Sequence, residues 1–165
     1  MVKEIQEWLK KIKNAKDGSL DLSKDEDLSI ALMNLVSLEE HFYFTAMKTE
    51  NGKYLDMLQE IRKIRQKFMK KLVTNPEGEE WCISKHLLAS AMRLIEVGTK
   101  EQTKKNNKEA EECYSVAFNL WSLFFAINLK IIGKKELKEK NKNIGGSASK
   151  FSQVIKKIVD CCKEW

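Results

Sequence analysis

Apolar residues recur at helical spacing along most of this chain, and this period constrains its fold more than any other feature. One stripe consists of Leu28, Leu32, Leu35, Phe42 and Ala46, and a second consists of Tyr54, Leu58, Ile61, Phe68 and Leu72. A repeat of about 3.6 residues is that of an amphipathic α-helix. The chain contains only one Pro and seven Gly, and no segment alternates with the period of a strand. The sequence therefore predicts an all-α fold.

Turn signals divide these stripes into helices. The breaks fall at three polar or Gly-containing stretches, 17–19, 50–52 and 75–78. A capping-box pattern, Ser23-x-x-Glu26, predicts where the second helix begins. The predicted helices are 2–16, 23–49, 53–73, 79 to at least 97, and 108–132. Gly98 and the polar stretch 99–107 predict a loop between the last two. Because the connections between the longer helices are short, we expect antiparallel neighbours.

The chain is long enough for one domain with its own core. We expect a helical bundle over 1–133, with four main helices and a short accessory helix at the N-terminus. A basic linker with a Gly145-Gly146-Ser147 sequence follows at 134–149. The last segment, 150–165, is predicted to be an amphipathic helix that packs on the bundle or on a partner. Its apolar face consists of Phe151, Val154, Ile155, Ile158 and Cys162.

Two charged residues interrupt the apolar stripes. Glu39 lies in the middle of the first stripe and Arg65 in the middle of the second. A charge at a core position is costly unless it is paired. Counting outward from the turns places both residues at one height of the bundle, with His86 and Asn119 near that height. The first interpretation is a structural polar layer that fixes helix register; the other is a small pocket for an anion or for acid–base chemistry.

A second candidate cluster lies on the predicted fourth helix. Glu79, Cys82, His86 and Arg93 project to one side of it. Cys82 and His86 have the i,i+4 spacing that can hold a metal ion, yet no other ligand pair has helical spacing. We therefore predict no metal site and no cofactor. There is no Gly-rich phosphate loop and no nucleophile elbow, which weighs against enzymatic activity but leaves it open.

The charge and the cysteines narrow the classes of partner and compartment. The net charge is +6 and the pI is about 9.0, which permits contact with nucleic acid. The four Cys have no metal-binding or disulfide pattern, which is typical of reduced thiols in the cytoplasm. Polar residues interrupt the apolar run 113–132, so we expect a core helix and no membrane span.

From the sequence we expect a small cytoplasmic helical-bundle protein whose role is protein binding. Self-association, as a homodimer for example, would use the helix that contains Trp8 or the helix that contains Phe151. Two alternatives remain open. One is a nucleic-acid-associated bundle that uses its basic helix and linker. The other is an enzyme or metal protein centred on Glu39, Arg65, Cys82 and His86.

Overall fold

The computed structural model describes residues 22–130, which form four α-helices and no strand. The helices are α1 (Ser23–Thr49), α2 (Lys53–Leu72), α3 (Glu80–Thr103) and α4 (Asn107–Asn128). The prediction of an all-α fold with four main helices is confirmed. The predicted helices at 2–16 and 150–165 and the linker at 134–149 lie outside the described residues.

Each connection between the described helices contains a residue with a left-handed backbone. Glu50 ends α1 with φ 53°, and the side chain of Asn51 then accepts a hydrogen bond from the backbone N–H of Lys53 (3.1 Å). Asn75 and Gly78 have positive φ in the connection from α2 to α3. Asn and Gly adopt this conformation at low cost, which explains why the turn signal at 75–78 located this break correctly.

The predicted loop at 99–107 is largely helical, since α3 continues to Thr103. The hydroxyls of Thr99 and Thr103 donate to carbonyls one turn back, so these polar side chains are accommodated within the helix. The connection to α4 is therefore only a few residues long. Lys104 and Asn106 donate hydrogen bonds to Glu101, and these bonds lower the pKa of its carboxyl group.

Gly98 is a close contact between α3 and α4 and is not a helix breaker. A Cβ atom at this position would lie 2.6 Å from Cε1 of Tyr114, so the aromatic ring occupies the space that a side chain would need. The ring is held in place because the Tyr114 hydroxyl hydrogen-bonds to Gln102 (3.0 Å). The absence of a side chain at Gly98 thus sets the close packing of these two helices.

Replacing Gly98 with Ala is expected to destabilise the protein by about 1–2 kcal/mol. The steric conflict with Tyr114 outweighs the gain of about 1 kcal/mol in helix propensity. Urea denaturation followed by circular dichroism measures the change. In a Tyr114→Ala background the same substitution should become stabilising, and an unchanged sign would show that the ring is not the obstacle.

The helices form two antiparallel hairpins, α1–α2 and α3–α4, which share one core. Its largest fully buried side chains are Leu32, Met69, Leu88 and Phe124, one from each helix. All four lie towards the end of the bundle at which α1 and α3 begin and α2 and α4 end. We call this the core end. The indole N–H of Trp121 also joins the hairpins there by donating to the Ser29 hydroxyl (2.8 Å).

We call the opposite end the turn end. There, each hairpin buries a smaller set of apolar side chains between its own two helices. Ala46 and Leu58 are buried in the first hairpin, and Ala110 and Cys113 in the second. Large apolar side chains nevertheless remain exposed there, among them Tyr43, Phe44, Met47, Met57 and Ile95. The shared core therefore does not extend over the full length of the bundle.

No helix within residues 22–130 has both the length and the apolar content needed to cross a bilayer. The apolar side of α4 is used for packing instead, because Phe124, Phe125 and Ile127 are all buried against the bundle.

Candidate functional site

Glu39 and Arg65 meet inside the first hairpin. The Arg65 Nε atom lies 2.5 Å from Glu39 Oε1, and its Nη2 atom lies 3.4 Å from Glu39 Oε2. The two side chains retain only 5% and 10% of their accessible surface. This two-point contact between guanidinium and carboxylate is strong and directional. It explains how each apolar stripe can accommodate one charge.

A second arginine shares the same carboxylate. Arg62 Nε donates to Glu39 Oε2 at 3.1 Å, and 43% of the Arg62 side chain is exposed. Glu39 is thus neutralised by one buried and one solvent-facing guanidinium. Among the described residues, every buried side-chain nitrogen or oxygen atom has a hydrogen-bond partner. A fully partnered cluster of this kind fits the structural interpretation of the polar layer.

The other two residues expected in the layer are not joined to this pair. His86 is exposed, whereas the buried positions of α3 are Glu80, Ser84, Leu88, Ala91 and Gly98. Counting residues from the turns estimates how high a side chain lies in the bundle, but not its direction around the helix axis. His86 projects almost opposite to the buried face of α3. Asn119 is half-buried. Within residues 22–130, no hydrogen bond connects it to Glu39 or Arg65.

The second predicted cluster is spread over the surface of α3. Glu79 and Cys82 are exposed, and Arg93 forms an ion pair with Glu40 of α1 (2.8 Å). No group of three or more His, Cys, Asp or Glu residues in the described part of the chain could hold a metal ion. Arg93 connects the two hairpins, and within residues 22–130 no third ligand completes a metal site with Cys82 and His86.

Sequence reasoning missed a polar network at the core end. Ser84 is fully buried and accepts a hydrogen bond from Asn128 (3.1 Å). Glu80 is also buried and accepts from Lys130 (2.5 Å) and from the backbone N–H of Glu77 (2.9 Å). The signal was the spacing of Glu80 and Ser84, which places both on the same face of α3 as Leu88. These bonds fix the start of α3 against the end of α4.

Two surface grooves are formed by described residues. The larger has a volume of about 540 Å³ and is lined by Glu40, His41, Tyr43, Phe44, Lys48 and Arg93. The other, of about 500 Å³, lies beside the connection between α2 and α3 and is lined by Lys70, Val73, Pro76 and Trp81. Neither groove is lined by Glu39 or Arg65.

The two cysteines of the described region differ in chemical environment. Cys113 is buried, and burial together with the nearby Glu109 and Glu112 carboxylates raises the pKa of its thiol. Cys82 is exposed.

Because the thiolate is the reactive form, we expect iodoacetamide at pH 8 to modify Cys113 at least about tenfold more slowly than Cys82. Peptide mass spectrometry after timed labelling measures both rates. Equal rates would show that Cys113 is neither covered nor held as a thiol.

No protein-family model matches this chain, and no curated protein or solved structure shows significant similarity to it.

Proposed function

We propose that this chain is a helical interaction module and that its partner at the turn end is a second copy of itself. The observation that carries the proposal is a continuous apolar surface on α1. Tyr43, Phe44 and Met47 are 48%, 57% and 53% exposed on adjacent helical positions. We call this surface the α1 apolar patch. Three large, neighbouring apolar side chains are unusual on a surface that only meets water and are typical of an interface.

The surroundings of the patch suit an interface between identical copies. The groove beside it contains both charge signs, because it is lined by the ion-paired Glu40 and Arg93 and by Lys48. A twofold interface needs a surface that is complementary to itself, and a rim of mixed sign meets that requirement. Tyr43 and Phe44 also pack edge to face (5.2 Å between ring centroids), so the two rings present a shaped contact surface.

The overall charge of the described region does not oppose such pairing. Residues 22–130 contain sixteen Lys or Arg and sixteen Asp or Glu, so the four-helix region has no net charge. The +6 of the whole chain comes from the flanking segments, chiefly 131–165, with nine Lys and four acidic residues. Two copies can therefore bring their helices together without a net Coulomb penalty.

The same charge distribution bears on the alternatives. On α2, Arg62 and Arg65 are engaged with Glu39, and Lys63 pairs with Glu60 (2.7 Å). This leaves fewer unpaired cations for a phosphate backbone than the sequence of α2 suggests. The enzymatic alternative requires the buried pair to meet Cys82 and His86, which are exposed on α3. No observation favours either alternative over the interaction module, and cytoplasmic location remains a prediction.

The test is the solution mass of the full chain. Sedimentation equilibrium from about 1 to 100 µM should show a monomer–dimer equilibrium for the unmodified protein. Phe44→Glu should weaken it at least about tenfold, because each copy would then bury a carboxylate without a partner. Ile30→Glu, a control at a similarly exposed α1 position near the core end (50% exposed), should leave it unchanged. A monomer at all concentrations, or equal effects of the two variants, would overturn the proposal.

A further inference from the structure

A second line of apolar side chains runs along α2, beside the buried one. Met57, Ile61, Ile64 and Phe68 are spaced by four, three and four residues, the spacing of a seam between two packed helices. We call these four residues the α2 seam. Met57 is 46% exposed and Ile64 is 43% exposed, whereas Ile61 and Phe68 are half-buried. The main packing partner of α2 within residues 22–130 is α1. It contacts the face of α2 that contains Arg62 and Arg65, which lies beside the seam.

The segment that precedes α1 leaves the described region close to one end of this seam. Leu22 is buried at the core end, and Phe68 packs against the shared core at the same end. In the sequence before Leu22, Met1, Ile5, Trp8 and Ile12 repeat the same four-three-four spacing. We therefore infer that residues 2–16 form an amphipathic helix that docks on the α2 seam of the same chain.

The length of the connection favours docking within one chain. Only residues 17–21 separate Lys16 from Leu22, and the six Cα–Cα steps between those two residues span at most about 20–22 Å. Neighbouring helices lie about 8–10 Å apart, so this connection reaches an adjacent helix of its own bundle but little further. The docked helix must run towards the core end, as α2 does. It is therefore parallel to α2, with Ile5 near Ile61 and Trp8 near Ile64.

Charge favours this occupant over the C-terminal segment. The exposed edge of α2 beside the seam contains Lys67, Lys70 and Lys71. Residues 1–21 contain five Lys and four acidic residues, whereas residues 131–165 contain nine Lys and four acidic residues. The N-terminal segment therefore approaches the basic edge with less repulsion. The longer connection at 131–149 also leaves the Phe151 segment free to reach elsewhere.

Accessibility of a thiol placed on the seam tests this inference in the full-length chain. Ile64→Cys is labelled with iodoacetamide, and the rate at position 64 is followed by peptide mass spectrometry, with the exposed native Cys82 as internal reference. We expect position 64 to react at least about tenfold more slowly than Cys82. We also expect its labelling rate to be the same at 1 and 100 µM protein. Adding Trp8→Ala should remove most of this protection, whereas adding Phe151→Ala should not.

Each other outcome overturns the inference. A rate equal to that of Cys82 would mean that nothing covers the seam. Acceleration by Phe151→Ala in place of Trp8→Ala would assign the seam to the C-terminal segment, and protection that appears only at high concentration would assign it to a second copy. Met57→Cys repeats the test at the other exposed seam position if Ile64→Cys alters the circular dichroism spectrum. The dimer test through Phe44 is independent of these results.

Discussion

Replacing Glu39 with Gln is expected to lower the free energy of unfolding by about 3–4 kcal/mol. The substitution preserves the shape of the side chain but leaves the Arg65 guanidinium, with 5% of its side chain exposed, without a carboxylate. Breaking a buried ion pair on one side costs about this much, because the remaining charge stays desolvated. Urea denaturation followed by circular dichroism measures the loss.

The opposite substitution should cost less, because the geometry is asymmetric. Arg65→Met leaves Glu39 paired with Arg62 at 3.1 Å, so a loss of about 2 kcal/mol is expected. The double variant should lose less than the sum of the two, since each single change leaves its partner unmatched. Arg62→Met is the matched control. This arginine is 43% exposed, and exposed pairs contribute about 1 kcal/mol or less. Strict additivity of Glu39→Gln and Arg65→Met would contradict the observed contact.

Replacing Leu88 with Ala is expected to destabilise the protein by about 2–5 kcal/mol. Leu88 is 1% exposed and lies in the core shared by the two hairpins. The substitution removes buried methyl groups and leaves a cavity in this shared core. Because this core joins the hairpins, we expect a single cooperative transition at lower denaturant concentration.

The same substitution at Leu55 serves as the control. Leu55 is 40% exposed near the start of α2, so Leu55→Ala should cost less than about 1 kcal/mol. A similar loss at both positions would mean that the shared core does not hold the hairpins together.

Most of the fold could be predicted from the sequence because its signals are local. The apolar period and the turns around Asn51 and Asn75 gave the helix order. The capping-box pattern located the start of α1 to within one residue, but the N-cap residue is Leu22 and not Ser23, and no side-chain hydrogen bond caps it. Gly98 misled the prediction because a glycine within a helix looks like a break until its neighbour is known. Tyr114 lies sixteen residues further along the chain, and only the packing of α3 against α4 shows that its ring needs that space.

The candidate site was only partly predictable for a similar reason. Glu39 and Arg65 stood out because each interrupts an apolar stripe, and the short turn between α1 and α2 fixes their relative height. His86 was assigned to the same layer by height alone, although its direction around α3 points to solvent. The second pairing of Glu39, with Arg62, and the pairing of Glu40 with Arg93 each use an arginine whose side chain is about half exposed. No helical period distinguishes such pairs from other surface charges.

The most direct test of the proposed interaction module is hydrogen–deuterium exchange of the full chain at about 1 and 100 µM. Association through the α1 apolar patch predicts that peptides covering 40–49 become more protected as concentration rises. Peptides from the shared core should not change, and Phe44→Glu should abolish the effect. If exchange in 40–49 is independent of concentration, or if protection rises only elsewhere, then the patch is not the surface through which this protein associates.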